Sequence, residues 1–241
     1  MVGVRRRPLR DLLAAGTPVF GAFAVERSGD GGRRAAADPD LDFVFYDLEE
    51  AEWDMGALRA FVEASLESAG GGGPPEVLLR IPPVAPDPAK ARVRVAEALE
   101  AGVHGLILPH VESPADVATV AQEVGARLWA GDREGDGDVL VVAQIESRPA
   151  VERAGEIAGT RGVGVVLPGQ ADLRRSYGGD EAAVQAAVDG VLAAARGAGV
   201  PCGVTAGRRD METRLHQGFE FIIGVESGAA ALGRAASDRE S

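Results

Sequence analysis

The chain alternates short, nearly unbroken apolar runs with longer segments of helical periodicity. VFGAFAV (19–25), LDFVFYDL (41–48), EVLLRIP (76–82), GLILPHVES (105–113), VLVVAQIES (139–147), GVGVVLPG (162–169), CGVTA (202–206) and FEFIIGV (219–225) read as eight strands. Runs of this kind belong to strands buried on both faces, as in a parallel sheet. Between them, residues 55–67 place Leu58, Phe61, Val62 and Leu66 on one helical face. Residues 89–102 end in Gly, 114–128 open on Pro, and 180–199 form a long amphipathic stretch. Further helices are expected at 5–15, at 211–218, between the fifth and sixth strands, and over the Ala-rich segment 228–236. The Gly-rich polar stretches 26–40, 70–75 and 131–138 are expected as loops. Eight strands alternating with helices predict an α/β fold, a (β/α)8 TIM barrel forming a single domain over 1–241. An open doubly wound sheet is the alternative, but no GxGxxG follows the first strand and there is no P-loop.

In a barrel, chemistry collects at the carboxyl ends of the strands. Glu49 and Glu50 follow the second strand, Arg80 lies in the third and His110 ends the fourth. Gln144 and Glu146 close the fifth, and Asp172 follows the sixth. Gln144 and Glu146 share a parity and point to one side of their strand. A parallel β-α-β unit over Val139–Gly178 sets Glu146 and Asp172 about one strand apart. Two hard carboxylates so placed are candidate ligands for Mg²⁺ or Mn²⁺. Alone, such a pair reads first as surface acids of an acidic protein. The convergence on one barrel end favours a site, because polar groups facing an interior are costly unless paired or liganded.

Composition narrows the partners. A length of 241 residues suits one barrel. The formal net charge of −12 argues against nucleic acid and anionic membranes as partners, and leaves room for an anionic small molecule held by local arginines. The single cysteine, Cys202, excludes an intrachain disulfide and points to a cytoplasmic setting. No apolar run approaches the length of a membrane span, and no apolar signal core follows the basic start.

Six blocks resemble the HpcH/HpaI aldolase and citrate lyase β-subunit superfamily: FVFYDLEEAEWDMGALRAFV (43–62), LLRIP (78–82), LEAGVHGLILPHVESPADV (99–117), QIESRPAVERAGEIA (144–158), LPGQADLRRSYG (167–178) and GFEFIIGVES (218–227). The resemblance implies a divalent-metal carbon–carbon lyase acting beside the keto group of a 2-oxo acid such as pyruvate, with an aldehyde as second partner. It implies Glu146 and Asp172 as ligands of Mg²⁺ or Mn²⁺, and Arg80 against the keto oxygen. Backbone N–H groups near Gly169, Gln170 and Ala171 would hold the substrate carboxylate. Gln144 would orient a ligand or water. The metal and Arg80 together would stabilise an enolate. A homo-oligomer, trimer or hexamer, is also implied, with segment 228–236 a candidate for exchange between subunits.

One position departs from the family pattern. Where the pyruvate aldolases carry a catalytic histidine, this chain has Glu50, and the histidine's acidic partner aligns with Glu100. A pair of glutamates could share a proton and serve as general acid or base. The opposite reading leaves Glu50 in solvent and the base lost. His110 is open to two readings, a structural histidine or a replacement base. The alternatives to an aldolase are an acyl-CoA lyase, which needs a basic surface such as Arg5–Arg7 or Arg33–Arg34 for a CoA thioester, and a non-catalytic homologue.

Overall fold

The computed structural model describes residues 7–70, 72–129 and 137–237. Eight strands alternate with helices: β1 (Val19–Phe23), β2 (Phe43–Asp47), β3 (Glu76–Arg80), β4 (Gly105–Leu108), β5 (Leu140–Ile145), β6 (Val165–Pro168), β7 (Gly203–Ala206) and β8 (Phe221–Gly224). All pair in parallel, in the order β6-β5-β4-β3-β2-β1-β8-β7. A parallel bridge between Val166 and Cys202 joins the two edges, with Val166 N–H donating to Pro201 O at 3.0 Å. The sheet is thus a nearly closed (β/α)8 barrel.

Side-chain alternation divides the core in two. Phe43, Phe45, Leu78, Ile107, Val142 and Phe221 fill the barrel. Val44, Tyr46, Leu79, Leu106, Val141 and Ile222 face the helices. Phe43 and Phe221 stack with centroids 4.2 Å apart, a contact worth about 0.5–1.5 kcal/mol beyond the area it buries. The helix Leu9–Ala14 closes the amino-terminal floor, where Leu9 and Leu13 join the interior cluster beside Trp129. The helix Ala229–Ser237 packs on its own barrel, and Arg234 bonds to Asp40 O and to Asp42 Oδ1 at 3.0 and 2.8 Å. Among the described residues no helix is long and apolar enough to cross a membrane.

The expected loop 26–40 is corrected: it carries the helix Gly29–Ala37. The Ser28 hydroxyl accepts the Gly31 N–H at 3.3 Å and caps it. A Cβ on Gly32 would stand 2.2 Å from Phe61 O, so the missing side chain is what lets this helix lie against Met55–Ser68. The segment between β5 and β6 forms two short helices, Arg148–Glu152 and Ala154–Ala158. The fourth strand ends at Leu108, well short of 113, because Pro109 and the turn at His110 follow. Of the expected loop 131–138, residues 131–136 lie outside the described residues.

Candidate active site

The carboxyl ends of β2 to β6 gather one charged cluster. Asp47 and Arg80 are register partners on β2 and β3, and both follow the inward parity of Phe43, Phe45 and Leu78. Arg80 Nε and Nη2 donate to Asp47 Oδ1 and Oδ2 at 2.9 and 2.6 Å, a two-pronged grip. Its Nη1 lies 2.8 Å from Glu49 Oε2 and 3.5 Å from Gln144 Oε1. The guanidinium rests over the Phe45 ring, 5.3 Å from the centroid. Asp47 Oδ1 also accepts the Glu49 N–H at 3.1 Å, and Arg27 binds Asp47 O at 2.8 Å.

Glu146 is buried, with 3% of its surface exposed. Its Oε1 accepts Gln144 Nε2 at 3.1 Å, and its Oε2 accepts the His110 N–H at 2.7 Å. The His110 ring stands between two carboxylates, Nε2 3.1 Å from Glu49 Oε1 and Nδ1 3.4 Å from Glu146 Oε2. Gln144 links the halves of the cluster, touching Arg80 with its oxygen and Glu146 with its nitrogen.

The electrostatics follow from burial and neighbours. Burial pushes the Asp47 carboxyl up, but the Arg80 hydrogen bonds, the Glu49 N–H and the Arg80 and Arg27 charges outweigh it and hold the group below the usual range. Burial acts to lower the Arg80 pKa, yet Asp47, Glu49 and Glu146 raise it on balance. Glu49 is raised by burial, with Asp47 and Asp172 adding to the effect and Arg80 and His110 opposing it. Glu146 is raised chiefly by burial, and the Asp172 and Glu49 charges add to it against His110.

Asp172 lies in the first turn of the helix Gln170–Ser176, after β6, and pairs with Arg175. Its charge is felt at both Glu49 and Glu146. Gly169 N–H donates to Ile145 O at 2.9 Å, so that group is committed to the sheet. Gln170 Nε2 is anchored on Thr205, 3.1 Å from both its carbonyl and its hydroxyl oxygen. Glu50 is exposed, and Glu49 takes the inward position. Glu100 ends the helix Pro88–Glu100, which runs back to the floor, and lies near Arg59. Within one chain Glu50 and Glu100 therefore stand at opposite ends of the barrel, and the expected glutamate pair is not formed.

These residues suit a divalent cation. Two carboxyls held above their usual range share a mouth with a third, and such a set gains from a positive ion. A Cβ on Gly169 would fall 2.5 Å from Glu146 Oε1, so the bare backbone keeps that carboxylate's place open. Among the described residues, Glu49, His110 and Glu146 each offer a ligand atom within 4.8 Å of the others.

Residues 34–231 match the family model "HpcH/HpaI aldolase/citrate lyase". A hydroxypyruvate/pyruvate aldolase of Paraburkholderia phytofirmans is 29% identical over 249 residues, covering 89% of each chain. One from Sagittula stellata is 30% identical over 202 residues, covering 70% of this chain and 79% of its own. A solved HpcH/HpaI aldolase/citrate lyase family protein from Burkholderia cenocepacia superposes with a TM-score of 0.76 at 25% identity, over 96% of this chain and 97% of that one.

Proposed function

Because the chain belongs to the HpcH/HpaI aldolase/citrate lyase family and is with it a carbon–carbon lyase, we propose that it acts beside the keto group of a 2-oxo acid such as pyruvate, with an aldehyde as second partner. The observation that carries this reading is the Arg80 guanidinium, fixed by Asp47 on two sides and turned by Nη1 toward Glu49 and Gln144. Breaking the bond next to a 2-oxo group leaves an enolate. A pre-placed cation in a partly dry site stabilises the charge that develops on its oxygen. Arg80 is proposed to do this, and Asp47 spares the reaction the work of orienting it.

Glu146 and Asp172 are proposed to hold a divalent cation, Mg²⁺ or Mn²⁺, and Asp172 would exchange Arg175 for it. Such an ion, when bound, supplies Lewis-acid charge to the keto group. The Gln170 and Ala171 N–H groups open the helix Gln170–Ser176, lack partners inside it, and are proposed to take the substrate carboxylate. Gly169 contributes space instead of an N–H. Gln144 keeps Arg80 and Glu146 in register with each other. Glu50 is our candidate for the proton step, because Glu49 is engaged by Arg80 and His110 and Glu50 is not.

Of the basic surfaces the acyl-CoA reading needs, residues 5 and 6 of Arg5–Arg7 lie outside the described residues, and Arg33 and Arg34 pair with Asp30 and Glu26. We further propose a homo-oligomer of three or six copies working in the cytoplasm.

The test is exchange of pyruvate methyl protons with solvent deuterium, followed by NMR with Mg²⁺ or Mn²⁺. Wild type should exchange, Asp172→Ala should lose at least about 100-fold, and Glu50→Gln should be slow if Glu50 moves the proton. Wild-type rate in Glu50→Gln removes that residue from the mechanism. No exchange in wild type rejects pyruvate as the substrate.

A further inference from the structure

His110 is the one non-glycine residue with positive φ, +50°, among the described residues. That turn, directly after Pro109, swings the ring back over the mouth between β2 and β5. Three distances then constrain its protons. Nε2 is 3.1 Å from Glu49 Oε1, Nδ1 is 3.4 Å from Glu146 Oε2, and the His110 N–H donates to Glu146 Oε2 at 2.7 Å. A neutral imidazole has one N–H to give. Donated to Glu49, it leaves the Nδ1 lone pair facing a carboxylate oxygen with no proton between them. Two electron-rich atoms 3.4 Å apart are both satisfied by a cation beside them. Glu49 is itself held, by Arg80 Nη1 at 2.8 Å. A metal-binding histidine is commonly oriented in this way, its far nitrogen donating to a carboxylate that is fixed in turn.

We propose that His110 Nδ1 is a nitrogen ligand of the cation held by Glu146, with Glu49 orienting the ring, and that the site therefore favours Co²⁺ or Zn²⁺ over Mg²⁺. The proposal rests on the cation-binding part of the function proposed above, not on its substrate. Carboxylates alone offer hard oxygen donors, which suit Mg²⁺ and Mn²⁺. One imidazole moves the ranking toward later first-row ions. The same distances would also hold an imidazolium paired with two carboxylates. The two arrangements differ in sign: removing a ligand weakens binding, whereas removing a competing positive charge from between two carboxylates tightens it for every cation.

The experiment uses the full chain without a histidine tag, stripped of metal and then loaded. Electron spin echo modulation of bound Mn²⁺ reads nitrogen directly, and calorimetry compares Co²⁺ with Mg²⁺ in wild type and His110→Asn. Asparagine tolerates the left-handed backbone better than most residues. We expect nitrogen modulation in wild type, its loss in the variant, and Co²⁺ affinity about 10- to 100-fold weaker there with Mg²⁺ changed far less. Absence of nitrogen modulation in wild type, or tighter binding of both ions in His110→Asn, overturns the proposal. If the variant fails to fold by circular dichroism, the wild-type spectrum decides alone. Nitrogen modulation without pyruvate exchange would leave His110 a ligand and remove the aldolase reading. Exchange without nitrogen modulation would do the reverse.

Discussion

Both ends of the barrel bury carboxyl groups, and they answer them with different partners. At the floor, Glu76 Oε1 accepts the Leu9 N–H at 3.0 Å, from the start of the helix that closes the barrel. Asp42 Oδ2 accepts the Phe20 N–H at 2.9 Å, and His104 Nδ1 accepts the Val77 N–H at 3.1 Å. Each of these side chains pins a backbone group of another strand or helix. At the mouth, Glu146 and Asp47 likewise take the His110 and Glu49 N–H groups, but a continuous run of side-chain pairs is added: Asp47 with Arg80, Arg80 with Glu49, Glu49 with His110, Gln144 with Glu146. Burial lifts Glu76 to about 7, so a displaced carboxyl does not by itself mark a site. What separates the two ends is the linked run of charged side chains at the mouth, where removing one member uncovers the charge of the next.

That distinction breaks first at Arg80. Arg80→Gln removes the cation from Asp47 and Glu49 and the charge offered to an enolate. The pyruvate exchange rate should fall about 10²–10³-fold, while Glu76→Gln at the floor should leave it within about twofold. NMR exchange at saturating metal makes the comparison. Equal losses in the two variants would mean that the ends are not functionally distinct.

Gly169→Ala gives a smaller and more selective effect. The new Cβ would meet Glu146 Oε1 at 2.5 Å and Glu146 Cγ at 2.6 Å, so the glutamate must move. Cation affinity should drop by about tenfold or more. The helix start and the sheet bond from Gly169 N–H to Ile145 O require only backbone, so the melting temperature should change little. Calorimetric titration with Mn²⁺ and a thermal melt on the same sample test both halves. Unchanged affinity would mean that Glu146 is not confined as described.

Much of this arrangement is legible in the sequence, and the misses have physical causes. Unbroken apolar runs locate the strands because a barrel buries both faces of each one. Arg80, Gln144 and Glu146 are found by parity, since each continues an inward-facing row. The same rule applied past the end of β2 runs Phe43, Phe45, Asp47, Glu49, and so selects Glu49 as the inward carboxylate. Leu48 N–H still donates to Arg80 O at 3.0 Å, which is why the alternation persists there. His110 is not reachable in this way, because a positive φ after Pro109, not strand alternation, sets its ring between two other strands. The helix Gly29–Ala37 is hidden by its own glycines, which signal a loop locally but serve a close approach to Phe61.

The smallest expected effect is at the floor, and it concerns stability alone. Glu76 holds its proton more tightly folded than unfolded, because burial raises it from 4.5 to about 7, against the Leu9 N–H and Arg10, with Asp11 and Asp42 adding to the rise. A raised carboxyl favours the folded state most below its unfolded value, and that advantage is lost as pH rises from about 4.5 through about 7. The loss should be on the order of 1–3 kcal/mol. The amide introduced by Glu76→Gln keeps an oxygen for the Leu9 N–H and has no proton to lose. The variant should therefore flatten this part of the profile and be the more stable protein at pH 8. His104, lowered by burial, works in the opposite sense, weakening the fold as pH falls below about 6.5. Because both proteins carry His104, subtracting denaturant stabilities of wild type and variant at each pH isolates Glu76. A difference that does not change between pH 4.5 and 7 would mean that the floor carboxyl titrates normally, and the contrast between the two ends would then rest on hydrogen-bond partners alone.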